Sequence, residues 1–315
     1  MNKVLTHKIG KKKTGSLLVL LFILCVKANA QFDPMFTQYM NNEMFINPAY
    51  AGTRNAISAS ILYRDQWVGI PGSPKTQTFS IHSPVGENCG LGVSVMNESI
   101  GITKQMRVNG TYSFRIETGN YSHLSFGLQG GIIDHQEDRS QLLLIHENDQ
   151  IFAPIPNVMV PNSGCGLYYY SDRFYVGFSI PRLIKNTVRS TGQVINTTSM
   201  KDWHFYLTSA MVMELSDNLK FKPSIMIKQV YGAPVQAELS LQGLVADFWW
   251  IGAAYRSGDA VSAITGFQLS PQLRFFYSFD YSLTKLQQYA SGSHEVTIGY
   301  DFSFKKKRIV SPRYF

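Results

Sequence analysis

The chain has 315 residues, of which 29 are Lys or Arg and 21 are Asp or Glu, giving a formal net charge of +8. Six of the basic residues and none of the acidic ones lie in the first 30 positions, so removing these six from 29 leaves 23 basic against 21 acidic residues. The nearly neutral remainder excludes overall basicity as an argument for nucleic-acid binding.

Residues 1–30 have the pattern of a secretory signal peptide. Lysines precede the apolar run Leu17–Val26, and Ala28-Asn29-Ala30 supplies a cleavage site of small residues before Gln31. The apolar run is too short to cross a bilayer as a helix. Lipidation of Cys25 is the less favoured alternative, because Leu24 stands where a lipoprotein signal has a small residue.

Residues 31–55 form a predicted N-terminal extension. Gln31–Gly52 is rich in aromatic residues and methionine but has no clean period, and Pro34 and Pro48 interrupt regular strand pairing. Two alternatives stay open for this extension. It folds against the interior or mouth of the domain that follows, or it docks onto a partner.

The rest of the chain consists of segments in which apolar and polar residues alternate. In Leu273–Leu283, for example, only Phe276 departs from the alternation. Alternation places the apolar side chains of a strand on one face of the sheet. The predicted strands are Ala56–Tyr63, Lys75–Ser83, Gly90–Met96, Gln105–Glu117, His123–Asp134, Gly164–Tyr170, Phe174–Ile180, Trp203–Glu214, Lys220–Val230, Val235–Leu244, Phe248–Arg256, Ala260–Leu269, Leu273–Leu283 and His294–Phe304.

The connections between these strands decide between two architectures. A soluble sandwich buries its apolar faces, whereas a transmembrane barrel turns them towards lipid. If the N-terminus is periplasmic, every periplasmic connection is short, while Arg64–Pro74, His135–Ser163, Pro181–Asp202 and Thr284–Ser293 are long external loops. This alternation predicts an all-β fold, a transmembrane antiparallel β-barrel of about 14 strands over residues 56–304, with a short periplasmic tail at residues 305–315.

Charged residues are predicted on the inner face of this barrel. Lys222 and Lys228 lie opposite Gln236 and Glu238, and Arg274 and Asp280 lie opposite Glu295 and Asp301. Such cross-strand pairs either hold the barrel together or line a conduit, and the structural role is favoured. Cys89 and Cys165 are predicted at opposite ends of the barrel, too far apart for a disulfide, so both should be free thiols.

Both ends of the mature chain resemble one family. The segments that carry the resemblance are Asp33–Met40, Asn47–Gly52, Tyr255–Ala260, Gly266–Leu269, Tyr281–Leu283, Ser291–Glu295 and Ser311–Phe315. They resemble the PorP/SprF family of type IX secretion system outer-membrane proteins. The resemblance implies an accessory barrel needed to secrete, and hold at the cell surface, large proteins with a C-terminal targeting domain. In gliding bacteria these proteins include filamentous adhesins.

The expected partners are outer-membrane lipid, a secreted adhesin or its C-terminal targeting domain, and other secretion components in the periplasm, with no nucleic acid. The candidate partner-binding residues lie in the extension, the first external loop and the tail: Asp33, Pro34, Phe36, Tyr39, Met40, Asn47, Pro48, Tyr50, Trp67, Arg313, Tyr314 and Phe315. The external run Leu142–Ile145 is either a partner contact or a plug folded into the lumen.

No catalytic site, metal site or cofactor site is predicted. The chain contains no Gly-x-Ser-x-Gly elbow, and no spacing of His, Cys and Asp resembles a metal site. The leading interpretation is therefore a non-enzymatic interaction protein. The alternative is an outer-membrane diffusion channel or small-solute transporter, since a barrel of this size could enclose an open lumen.

Overall fold

The computed structural model describes residues 34–54, 56–119, 121–139, 156–188 and 194–302. They form a sheet of long antiparallel strands around a lumen. The strands are β1 (Ile57–Asp65), β2 (Lys75–Val85), β3 (Cys89–Ile100), β4 (Thr103–Gly119), β5 (Ser122–Glu137), β6 (Val158–Tyr170), β7 (Phe174–Ile180), β8 (Lys185–Val188), β9 (Val194–Thr197), β10 (His204–Met211), β11 (Met213–Ser216), β12 (Leu219–Val230), β13 (Gln236–Val245), β14 (Trp249–Arg256), β15 (Ala260–Gln268), β16 (Leu273–Ser282) and β17 (Ser293–Phe302).

The sheet closes into a barrel of 14 strands. Strand β1 pairs with β17 from Ile57 opposite Phe302 to Asp65 opposite His294. Strands β10 and β11 count as one barrel strand, because both pair with β12 and only Val212 separates them. Strands β8 and β9 form a separate two-stranded hairpin. The predicted fourteen-stranded antiparallel barrel is therefore confirmed.

The polar face of each strand lies inside the barrel and the apolar face lies outside. On β16, Arg274, Ser278 and Asp280 are buried, while Tyr281 on the opposite face is exposed. Leu128 on β5 is 64% exposed. Such a surface is unfavourable in water and favourable against lipid, so the strands span a membrane. Phe276, the residue that broke the alternation, faces inward and packs 5.7 Å from the ring of Trp250.

Both ends of the barrel chain lie at the same rim. Ile57 and Phe302 are paired there, and the β2–β3, β4–β5 and β13–β14 turns at this rim are short. Short turns mark the periplasmic side of such barrels. The opposite rim, which carries the long connections, is therefore the external one. No helix in the described ranges is both long enough and apolar enough to cross a membrane.

The largest error in a predicted strand start is at β6. The prediction starts this strand at Gly164, whereas in the structure it begins at Val158 and includes Pro161. Proline is tolerated here because β7 pairs with β6 only from Cys165 onwards, so Pro161 lies on a local edge. Cys165 therefore sits within the strand rather than at its external start. Both Cys89 and Cys165 are free, as predicted.

Candidate functional site

The N-terminal segment lies inside the barrel. Residues Pro34–Arg54, named here the lumen plug, form 3-10 turns at Tyr39–Asn41 and Pro48–Tyr50 and one helical turn α1 (Glu43–Ile46). Seventeen of its 21 residues are buried and none is exposed. The structure thus matches the first alternative for this extension, packing against the interior of the barrel.

The external end of the lumen plug is held by acidic side chains of β16 and β17. The two carboxylate oxygens of Glu295 accept the backbone N–H groups of Thr37 at 3.1 Å and Gln38 at 2.7 Å. The Thr37 hydroxyl donates to Asp280 at 2.8 Å. These contacts satisfy backbone donors that would otherwise be buried without partners.

Two arginines balance these buried carboxylates. Arg64 lies 2.7 Å from Asp280 and 2.9 Å from Glu295. Arg256 lies 2.7 Å from Glu238. All five side chains are at most 3% exposed, so each depends on its partners for charge compensation. The sequence analysis placed Asp280 of β16 opposite Glu295 of β17. In the structure, Arg64 of β1 joins these two carboxylates.

An apolar pocket surrounds the external part of the lumen plug. Phe36, Tyr39 and Met40 pack with inward-facing wall residues, although the inner face is otherwise mostly polar. The wall residues of this pocket are Leu62, Met96, Tyr206 and Met226. Methionine side chains are flexible and fill irregular gaps, so this pocket suits large apolar side chains.

Two inward-facing glycines, named here the glycine seat, accommodate the Asn47-Pro48-Ala49 turn. A Cβ atom on Gly127 would lie 2.1 Å from the Ala49 nitrogen, and one on Gly166 would lie 2.0 Å from the Asn47 side-chain oxygen. The Asn47 amide also donates to the Leu167 carbonyl at 2.8 Å. Only a wall without side chains allows the turn to come this close.

Ion pairs also hold the periplasmic end of the lumen plug. Arg54 lies 2.6 Å from Asp301, and Arg274 lies 2.8 Å from the same carboxylate. The predicted pairing of Arg274 with Asp301 is therefore confirmed. The Arg54 guanidinium also donates to the Tyr50 hydroxyl at 3.0 Å. The plug is thus held at its external end, its middle and its periplasmic end.

At the external rim, the β1–β2 loop and the β16–β17 loop bond to each other. Val68 donates to the Gly292 carbonyl at 2.9 Å, and Ser291 donates to the Val68 carbonyl at 2.7 Å. Trp67 has a φ of 56°, which is unusual for a bulky side chain and indicates local strain. Its N–H donates to the Ser293 hydroxyl at 3.1 Å, so the loop has a defined conformation.

The β8–β9 hairpin reaches into the external mouth. Val194 on β9 packs against inward-facing Ile133, Val158 and Val160 of β5 and β6. The hairpin therefore narrows the mouth above the lumen plug on this side of the barrel. The run Leu142–Ile145, predicted to be either a partner contact or a plug, lies outside the described residues.

The predicted site residues fall into three groups. Those in the lumen are Pro34, Phe36, Tyr39, Met40, Asn47, Pro48 and Tyr50; Trp67 stands alone at the external rim; Asp33, Arg313, Tyr314 and Phe315 lie outside the described residues. Direct partner contact by any of them stays a prediction. The sequence did not indicate that Arg64, Glu295, Gly127 and Gly166 would hold the extension. No group of three or more metal-ligating side chains occurs in the parts of the chain described above.

The chain is similar to known proteins in sequence family and in fold. Residues 28–300 match the family described as type IX secretion system membrane protein PorP/SprF. No curated protein sequence matches the chain.

Among solved structures, the CymD monoaromatic hydrocarbon channel is 13% identical with a TM-score of 0.51, and the alignment covers 84% of this chain and 93% of that one. The Acinetobacter baumannii outer membrane protein Omp33 is 10% identical with a TM-score of 0.44, covering 80% and 100%. At 13% identity the similarity to CymD concerns the barrel fold alone.

Proposed function

The chain belongs to the PorP/SprF family of type IX secretion system membrane proteins, and we propose that it is a closed, non-enzymatic barrel that supports export and surface anchoring of large secreted proteins. Such proteins would include gliding adhesins with a C-terminal targeting domain. Its place is the outer membrane, as the family and the barrel fold indicate. The partner would meet the external loops, and other secretion components would meet the periplasmic ends.

The filled lumen is the observation that carries this proposal. The lumen plug extends from the external ends of β16 and β17 to the periplasmic start of β1. Two internal cavities beside it, one near Arg54 and one beneath Trp67, have volumes of about 10 Å³ each. That is space for about one water molecule. This arrangement supports an anchor over the alternative of a diffusion channel, which needs a continuous aqueous path.

The proposal is tested by deleting the protein from its host and comparing the proteins present on the cell surface. Loss of one or more large surface proteins is expected, with uptake of small solutes unchanged. Purified protein should also give no steady ohmic current in planar bilayers. An unchanged surface proteome together with reduced solute uptake would favour the channel and contradict the proposal.

Trp67 is expected to contribute to the partner contact. Trp67 is half-buried at the external rim. Tryptophans are common energetic centres of interfaces, and their truncation costs about 2 kcal/mol or more. Trp67→Ala should therefore weaken binding of the exported partner about 30-fold, with the amount of barrel in the membrane unchanged. The measurement is the quantity of partner retained on the surface, compared with the matched variant Tyr231→Ala in the β12–β13 loop. Equal retention of the partner by the two variants would show that Trp67 does not contribute to the contact.

A further inference from the structure

The barrel wall binds the backbone of the external part of the lumen plug. Glu295 accepts two consecutive backbone N–H groups, a contact that does not depend on the side chains at those positions. The Gln38 amide donates to the Glu295 carbonyl and to the Ser278 hydroxyl, both at 3.1 Å. The wall therefore binds the backbone of a turn first and individual side chains second.

Side-chain selection in this part of the lumen is by size and by charge. Phe36 enters the apolar pocket and is 5% exposed. Residues Pro34–Asn42 contain no charged side chain, although Arg64, Arg256, Asp280 and Glu295 lie around them. Arg64 and Arg256 are already paired with Asp280, Glu295 and Glu238, so a charged occupant would compete with ion pairs that are already formed. The site thus suits an uncharged segment with a large apolar anchor.

The site lies close to the external mouth. Thr37 bonds to Asp280, which also lines the recess beneath Trp67. Among the described residues, the plug continues into the barrel wall through its periplasmic end, at Arg54 and strand β1. Its external part can therefore leave the site without breaking any strand of the barrel.

We propose that the external third of the lumen is a polypeptide-binding site, which residues Pro34–Met40 occupy in cis and which an uncharged terminal segment of the exported partner, folded into a similar turn, occupies in exchange. The partner segment would place a large apolar side chain where Phe36 lies and offer two backbone amides to Glu295. This inference rests on the proposed function, in which the partner meets the barrel from outside.

The test uses a fluorescent synthetic peptide with the sequence of residues 34–52 and the full-length barrel in detergent. The tethered plug has a high effective concentration and competes with the free peptide, so binding to the unaltered barrel should be weak. Phe36→Ala in the tethered plug removes its anchor and leaves the wall intact. Fluorescence anisotropy should then show peptide binding at least tenfold tighter than to the unaltered barrel. A control peptide with serine at positions 36 and 39 should bind at least tenfold more weakly than the parent peptide.

Two outcomes would overturn the proposal: equal binding of both peptides, or no binding to a folded Phe36→Ala barrel, with folding judged by its shifted electrophoretic mobility on heating. If Phe36→Ala does not fold, Thr37→Ala gives the same test, since it removes only hydroxyl contacts to Asp280, Arg64 and Arg256. The proposed function is tested separately. An unchanged surface proteome in the deletion strain would contradict it whether or not the peptide binds.

Discussion

Replacing Arg64 with alanine is expected to destabilise the folded barrel by about 3–5 kcal/mol. The guanidinium joins Asp280 and Glu295 at 2.7 and 2.9 Å, and all three side chains are at most 3% exposed. Its removal leaves carboxylates with reduced compensation in a region of low dielectric constant. The free energy of unfolding can be measured by urea titration of the protein refolded into lipid vesicles, with tryptophan fluorescence as the signal.

The matched control for this experiment is Lys75→Ala. Lys75 also pairs with a carboxylate, that of Asp65, but at 3.8 Å and with 55% of its side chain exposed. An exposed pair of this kind contributes about 0–1 kcal/mol. Arg64→Lys should fall between the two, because lysine keeps the charge but cannot present two parallel donors. A destabilisation by Arg64→Ala as small as that of the control would show that water reaches these carboxylates.

Adding one methyl group to the glycine seat is expected to displace the lumen plug. The Cβ of Gly127→Ala would lie 2.1 Å from the Ala49 nitrogen and 2.3 Å from the Pro48 carbonyl carbon, both backbone atoms that no rotamer change can move. Overpacking of this kind costs about 1–3 kcal/mol. The unplugged form should then increase about tenfold to a hundredfold. Planar-bilayer recordings should show discrete conducting events that the unaltered protein lacks.

Gly130→Ala supplies the control on the same strand. Gly130 faces outward, and a Cβ there meets no atom within 4 Å. Both variants add the same methyl group to β5, so any effect of alanine on strand stability is shared. Conductance in both variants, or in neither, would show that contact with the glycine seat does not hold the lumen plug in place.

The two experiments address different parts of one assembly. Arg64 reports on the polar network at the external end, whereas Gly127 reports on steric fit closer to the periplasm. If the peptide-exchange proposal holds, weakening the external end from the side of the plug, as in Phe36→Ala, should increase peptide binding without opening the whole lumen. Full opening should require loss of the glycine-seat contact as well. Conductance and peptide binding are therefore expected to respond differently to Phe36→Ala and Gly127→Ala.

The strands of this protein are predictable because their signal is local. On β16 and β17, successive side chains point to opposite faces of the sheet, and lipid accepts any apolar side chain that faces it. The same local reasoning missed the start of β6, which contains Pro161. A proline in the middle of a strand argues against that strand unless a neighbour is missing, and only the β6–β7 register shows that β7 is absent beside it.

The extension is different, because its conformation has no period of its own. The sequence shows aromatic residues, methionines and two prolines, and those features fit burial against the barrel as well as contact with a partner. The contacts that decide between them join Thr37 to Glu295, 258 positions apart, and Asn47 to Leu167, 120 positions apart. In each pair, the sequence around one residue contains no pattern that identifies the other residue as its partner.

By itself, the sequence determined the membrane-spanning barrel, the side of each strand that faces lipid and the family to which the chain belongs. These follow from alternation and from motifs, which are properties of short segments. Only the tertiary structure decided that the lumen is filled. Closing the sheet brings Arg64, Glu295 and Gly127 around one segment, and a site assembled from distant strands exists only after the sheet has closed.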